Sequence, residues 1–395
     1  MGLSVGIVGL PNVGKSTLFN ALLKKQQAFA ANFPFATIEP NIGVVPVPDE
    51  RLAKLARVQS AESKEQKDPP IVPATVEFLD IAGLIAGAHK GEGLGNKFLA
   101  HIRETDAICH VVRVFADENI VREGSTSPKK DFEIVQTELA LADLQTLDKQ
   151  KDPGNTSDKD VKRRWEIVTQ LKSMIASTSM NRFIEVNEEQ EKVVKELGLL
   201  TFKPILVSLN IDEADLRESS ELEKSFVESV GLAEGQVVAI CAKVESEIAS
   251  LTVEEQAEYL SDLGVARPGL ERLIKKAFGT LGLITFLTAG EKPARQSPDG
   301  SSRTAGGEVR AWTIRDGTTA QEAAGVIHTD FSKNFIKADV VKYEDFVGEG
   351  DQPAGAKASA FAGGWKKVRE AGKVRSEGRD YVVQDGDVVE FKIGI

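Results

Sequence analysis

Residues 9–16 read Gly-Leu-Pro-Asn-Val-Gly-Lys-Ser, which satisfies G-x-x-x-x-G-K-[ST] at every fixed position. No other stretch restricts the fold as much. Gly9 and Gly14 let the backbone curl until successive N–H groups point into one anion-sized hollow. Such a loop needs a strand to deliver it and a helix to close it. Val5-Gly6-Ile7-Val8 is an apolar run fit for a buried strand, and residues 17–25 carry Leu18, Phe19, Leu22 and Leu23 at helical spacing. The N-terminus of that helix faces the phosphates. Asn12, Val13, Gly14, Lys15, Ser16 and Thr17 are therefore the expected contacts of a nucleoside triphosphate. Lys15 bridges the β- and γ-phosphates, and the Ser16 hydroxyl holds Mg²⁺.

Up to about residue 115, strand-like stretches (76–80 and 107–114) alternate with helix-like ones (97–104). That alternation predicts an α/β fold, a mostly parallel sheet with helices on both faces. From residue 131 the period turns helical. Segments 131–149, 157–176 and 188–197, the last ending at Gly198, read as an antiparallel helical insertion over 131–200. The sheet resumes at 204–210 and 236–241, and a helix over 270–281 closes a first domain of residues 1–282, with its core in 1–130 and 201–282. Residues 283–393 read as a smaller α+β domain. It contains a Pro-, Ser- and Gly-rich loop over 291–307, a strand at 309–314 and a helix at 319–326. Its end, 381–383 and 388–393 about Asp385-Gly386, predicts a hairpin.

The formal charge of −11 argues against bulk nucleic-acid binding but leaves room for a local basic face. The cysteines, Cys109 and Cys241, both lie in apolar runs, as expected of reduced thiols in a cytoplasmic protein. No signal peptide or membrane span is expected. With no heptads or apolar seam, a monomer is expected.

A phosphate loop needs partners to hold Mg²⁺ and sense the γ-phosphate. Asp80-Ile81-Ala82-Gly83, at a strand end, offers Asp80 to Mg²⁺ through water and the Gly83 N–H to the γ-phosphate. Thr37 offers a second hydroxyl to Mg²⁺. A guanine-reading loop would be Asn-Lys-x-Asp; here the strand leads into Asn210-Ile211-Asp212-Glu213. A carboxylate displaced by one methylene no longer meets guanine N1 and N2, so adenine becomes the favoured base. Cys241 and Ala242 begin the loop that packs against it. Leu84 stands where Ras-type GTPases place a water-orienting Gln. His110 reads as its replacement or as a buried structural histidine. Asn12 reads as a holder of K⁺ beside the phosphates or as a loop stabiliser. The glycines at 83, 87, 91, 93 and 95 suit a loop that reorganises.

With these residues in hand the chain resembles the Obg-like ATPase family of YchF type. The resemblance rests on residues 6–17, on Asn32-Phe33-Pro34-Phe35 with 37–41, on 80–84 through 90–96, on Asn210 with Glu213, and on Ala311-Trp312-Thr313-Ile314. It implies a G domain, an inserted helical arm and a C-terminal TGS domain of β-grasp type. It also implies ATP favoured over GTP, a hydrophobic residue for the catalytic Gln, and association with the ribosome. Lys357, Lys366, Lys367, Arg369, Lys373, Arg375 and Arg379 are compatible with an rRNA contact on the large subunit, and equally with a solvated face. The leading expectation is a slow Mg²⁺-dependent ATPase switch. The alternatives are a guanine-specific GTPase and a ribosome-binding module that uses nucleotide as a structural ligand.

Overall fold

The computed structural model describes residues 4–32, 41–62, 69–81, 94–116, 127–177, 186–290, 307–348 and 364–394. Among them β1 (Ser4–Val8) leads into α1 (Lys15–Asn32), β2 (Ile42–Pro46), α2 (Glu50–Glu62), β3 (Ile71–Val72), β4 (Thr75–Asp80), α3 (Leu94–Glu104) and β5 (Ala107–Arg113). Three helices follow: α4 (Pro128–Asp148), α5 (Lys159–Ser177) and α6 (Glu188–Leu197). The chain continues through β6 (Ile205–Asn210), a 3-10 turn (Glu213–Glu218), α7 (Ser219–Val230), β7 (Val237–Ile240), α8 (Ala242–Ile248), α9 (Val253–Asp262) and α10 (Gly269–Thr280). It ends with β8 (Leu283–Ala289), β9 (Val309–Arg315), α11 (Ala320–Ile327), α12 (Thr329–Lys333), β10 (Phe335–Val341), α13 (Tyr343–Val347), α14 (Trp365–Glu370), β11 (Arg375–Glu377) and β12 (Val388–Ile393). No helix among the described residues is long and apolar enough to cross a membrane.

These elements form two units. The first comprises Met1–Val45 and Val76–Leu281. Its sheet has the order β2-β4-β1-β5-β6-β7. β1 lies parallel to β4 and β5, β5 to β6, and β6 to β7. Every residue of β5 is buried, which explains why that strand reads as mostly apolar without an alternation, its polar residues being His110 and Arg113. A sheet of this kind gathers the loops at the carboxyl ends of its strands, and candidate site residues after β1, β6 and β7 lie there.

The helices α4, α5 and α6 share an apolar cluster that includes Leu147, Leu171, Ile175, Val193 and Leu199. Asn187 and Gln190 form a reciprocal capping box at the start of α6, and Gly198, at φ 60°, ends it in the left-handed region. The buried Asp143 carboxylate ties α4 to the residues after α6. It accepts from the Leu200 N–H at 2.8 Å, the Thr201 N–H at 2.8 Å and the Thr201 hydroxyl at 2.7 Å.

The second unit comprises Pro46–Thr75 and Gly282–Ile395. Its sheet has the order β11-β10-β12-β8-β9-β3. β8 and β9 pair antiparallel, and β12 enters parallel to β8 and antiparallel to β10. Ala320, Ala323 and Ala324 of α11 pack on Phe286, Ile314, Val340 and Val389. A hairpin, a covering helix and a last strand parallel to the first make a β-grasp.

Two expectations change here. The terminal hairpin does not form. Gly386, at φ 83°, turns the chain, but β12 is drawn between β10 and β8, and Val382 makes only an isolated bridge to Thr319. Asp387 explains the turn without a ladder, since its carboxylate accepts from the Tyr381 hydroxyl at 2.7 Å and the Gln384 N–H at 3.0 Å. Residues 46–75, read from sequence as part of the first domain, belong to the second unit. β3 pairs parallel with β9, and Arg51 of α2 donates to Asp385 and to the Thr285 hydroxyl, both at 2.8 Å. Residues 291–306 and Lys357 lie outside the described residues.

Candidate nucleotide site

The loop between β1 and α1 takes its shape from three residues with positive φ: Gly9 at 153°, Asn12 at 59° and Gly14 at 96°. A side chain at Gly9 would put Cβ 2.5 Å from the Val111 carbonyl oxygen, and one at Gly14 would collide with Asn210 Nδ2. Asn210, at the end of β6, uses both faces of its amide. Its Nδ2 donates to the Val13 carbonyl at 2.9 Å, and its Oδ1 accepts from the Ala242 N–H at 3.0 Å. One side chain thus fixes the phosphate loop against the start of α8.

Lys15 is buried, and its Nζ donates to the Leu10 carbonyl at 2.6 Å. Burial lowers its pKa to about 8, against the opposing pull of the Asp80 carboxylate. Asp80, at the end of β4, is pushed up by burial and held down by Lys15. Each therefore stabilises the charge on the other in a partly dry setting.

A cavity of about 470 Å³ opens beside the loop. Asn12, Gly14, Lys15, Ser16 and Thr17 line it together with Asn210, Ile211, Glu213, Cys241 and Ala242. The structure thus brings together in one cavity residues that lie more than two hundred positions apart in the chain. Val13 is not among the lining residues; its carbonyl accepts from Asn210. Thr37 and Gly83 lie outside the described residues, as do Leu84 and the glycines at 87, 91 and 93.

His110 departs from expectation as a catalytic group. It is not among the residues lining the cavity; it lies within β5, 1% exposed, stacked on Phe132 of α4 with ring centroids 5.2 Å apart. Burial first, and the Lys15 charge second, push its pKa down to about 3. Of the two sequence readings of His110, water-orienting group or buried structural histidine, its enclosure within β5 favours the second.

Two lining residues, Phe115 and Ala116, went unnoticed in the sequence, and two more, Asp212 and Lys243, were read only as members of their loops. The usable signal was position, since each directly follows the carboxyl end of a parallel strand or lies within the loop it feeds. The Phe115–Ala116 corner is tightly held. The Val114 and Phe115 N–H groups donate to the Asn210 carbonyl at 2.9 and 3.0 Å. Arg113 donates to the Phe115 carbonyl at 3.3 Å and lies over its ring, 4.2 Å from the centroid.

Among the described residues no three His, Cys, Asp or Glu side chains converge on a possible metal. The available donors are instead a hydroxyl, Ser16, on the cavity wall and a carboxylate, Asp80, beside Lys15. Hard oxygen donors in small number fit Mg²⁺, which keeps waters and takes its other ligands from phosphates.

Residues 4–145 match the family described as 50S ribosome-binding GTPase, and residues 303–394 match the YchF GTPase C-terminal family, described as a protein of unknown function. The chain is 46% identical over 402 residues to the ribosome-binding ATPase YchF of Bacillus subtilis, and 44% identical to that of Escherichia coli O157:H7, with both chains covered completely. Among solved structures it resembles the Schizosaccharomyces pombe YchF GTPase. The identity is 32%, the TM-score 0.77, and the match covers 99% of this chain and 98% of that one.

Proposed function

This chain belongs to the YchF family, and on that premise we propose how its cavity works. It is an ATPase, and it associates with the ribosome. The observation that carries the finer reading is that the phosphate loop and Asn210, Ile211 and Glu213 line one cavity. ATP lies along it. Its phosphates rest on the backbone of residues 12–17, and its base lies between the Asn210–Glu213 loop and Cys241-Ala242. Glu213 in place of Asp disfavours guanine, so ATP is preferred to GTP.

On this reading Lys15 exchanges the Leu10 carbonyl for phosphate oxygens, whose charge raises its pKa and keeps it protonated. Ser16 and Thr37 would hold Mg²⁺ directly and Asp80 through water. When bound, Mg²⁺ neutralises charge on the β- and γ-phosphates. The Gly83 N–H senses the γ-phosphate. Leu84 cannot orient water, so unaided turnover is slow and the protein acts as a switch. Asn12, exposed on the cavity wall, supports a K⁺ held beside the phosphates by its side-chain oxygen. A rate that rises with K⁺ over Na⁺ in the parent and not in Asn12→Ala tests that element.

The ribosomal contact is read as large-subunit rRNA against the C-terminal unit, by a cytoplasmic monomer. Arg369, Lys373 and Arg375 already carry carboxylate partners in Glu390, Asp345 and Glu377, so fewer of the basic residues are available than their count suggests. Replacing Lys15 with Ala is expected to lower ATP hydrolysis by about a hundredfold or more. Hydrolysis at the parent rate would overturn the site assignment, and GTP competing better than ATP would overturn the base assignment.

A further inference from the structure

Asp212 occupies the N-cap position of the 3-10 turn Glu213–Glu218, with φ −73° and ψ 158°, yet its side chain makes no cap hydrogen bond there. An aspartate at such a position ordinarily accepts from the N–H groups of its own turn. Here the carboxylate reaches across to another loop, where Oδ2 accepts from the Ala116 N–H at 3.0 Å. Ala116 and Asp212 both line the cavity, at the end where the base is read to lie.

The consequence follows from what else holds that corner. Val114 and Phe115 are fixed to the Asn210 carbonyl, and Asn210 is in turn fixed to Val13 and Ala242. Ala116 is the outermost residue of this lattice and is exposed. Its N–H is tied by Asp212. Asp212 thereby bridges the 3-10 turn to the β5 corner, and Phe115 and the Ile211–Glu213 loop line the same cavity.

We propose that Asp212 is a positioning residue for base selection, fixing the Phe115–Ala116 wall against the Asn210–Glu213 loop so that the cavity accepts adenine in one register. The proposal rests on the reading that the base occupies this end of the cavity. Asp212 touches neither phosphate nor base in this scheme; it acts through Ala116. A carboxylate on a backbone N–H is a charge-assisted bond, and its removal leaves the corner without its outer tie.

The test is equilibrium binding of ATP, GTP and inorganic tripolyphosphate to the full chain carrying Asp212→Ala, Asp212→Asn or Glu213→Asp. Asp212→Ala is expected to weaken ATP about tenfold and to lower the ATP-to-GTP affinity ratio, with tripolyphosphate unchanged. Asp212→Asn retains an acceptor oxygen and is expected to recover ATP to within about threefold of the parent. In turnover, KM for ATP rises in Asp212→Ala while kcat stays nearly constant. If Asp212→Ala binds ATP like the parent, or if Asn fails to rescue, the role assigned to Asp212 is wrong. Glu213→Asp separates the two levels. If it shifts the ATP-to-GTP ratio while Asp212→Ala does not, this proposal alone fails. If neither variant shifts the ratio, the placement of the base fails with it.

Discussion

Lys15 and His110 are both buried and both titratable, and burial gives them opposite uses. Lys15, with a pKa near 8, lies close to its point of deprotonation in the ligand-free chain. Phosphate charge raises that value again, so ATP binding is expected to draw in a proton when the pH is at or above about 8 and little at pH 7. Calorimetric titrations in buffers of differing ionisation enthalpy measure this uptake. His110 has a folded pKa of about 3, below the roughly 6.5 of an unfolded chain. Below pH 6.5 the unfolded state binds a proton that the folded state refuses. Its contribution is thus intact above pH 6.5 and is lost as pH falls toward 3, at up to about 1.4 kcal/mol per pH unit. Urea unfolding between pH 4 and 7 is expected to show a shallower pH slope in His110→Leu than in the parent. The loop over residues 9–16 was legible in the sequence because its residues are contiguous and its sharp turn demands those residue types. Ala116 and Asp212 were not, because an N–H of alanine and a loop aspartate carry no signature until folding sets them 3.0 Å apart.

At the scale of elements, the helices α4, α5 and α6 were legible because apolar residues recur at helical spacing between charged ones. What joins them was not. Asp143 sits in a run of leucines and alanines and reads as one more solvent-facing charge, yet it is fully buried and accepts three groups from residues 200–201. Replacing it with Ala strands those donors in the interior, at a cost of about 3 kcal/mol. Faster hydrogen exchange at 199–202, with exchange at β1 and β6 unchanged, would locate the loss in the arm. Asn187→Ala removes one half of the capping box on α6 and is expected to cost about 1 kcal/mol, measured by chemical denaturation. The misread terminal hairpin has a related cause. Turn chemistry at Asp385-Gly386 specifies a reversal, but which strand the chain then joins is decided by long-range partners, here β10 and β8.

Across the whole molecule, the alternation of strand and helix announced the first unit, and the change of period announced the arm. The membership of residues 46–75 was hidden because β3 is two residues long and its partner β9 lies more than two hundred positions away. A fragment beginning at residue 283 lacks β3, α2 and Arg51, and with them the ion pair to Asp385 and the bond to Thr285. It is expected to melt without a sharp cooperative transition, while adding a peptide of residues 46–75 sharpens it; circular dichroism reads both. The segment also has a meaning at the level of the gene. A module that can be swapped between proteins must be encoded in one uninterrupted stretch. Part of this β-grasp is written between β2 and β4 of the nucleotide-binding unit, so recombination at residue 282 would deliver it incomplete. An exchange that kept the β-grasp whole would have to carry both stretches, and with them the strands that lie between.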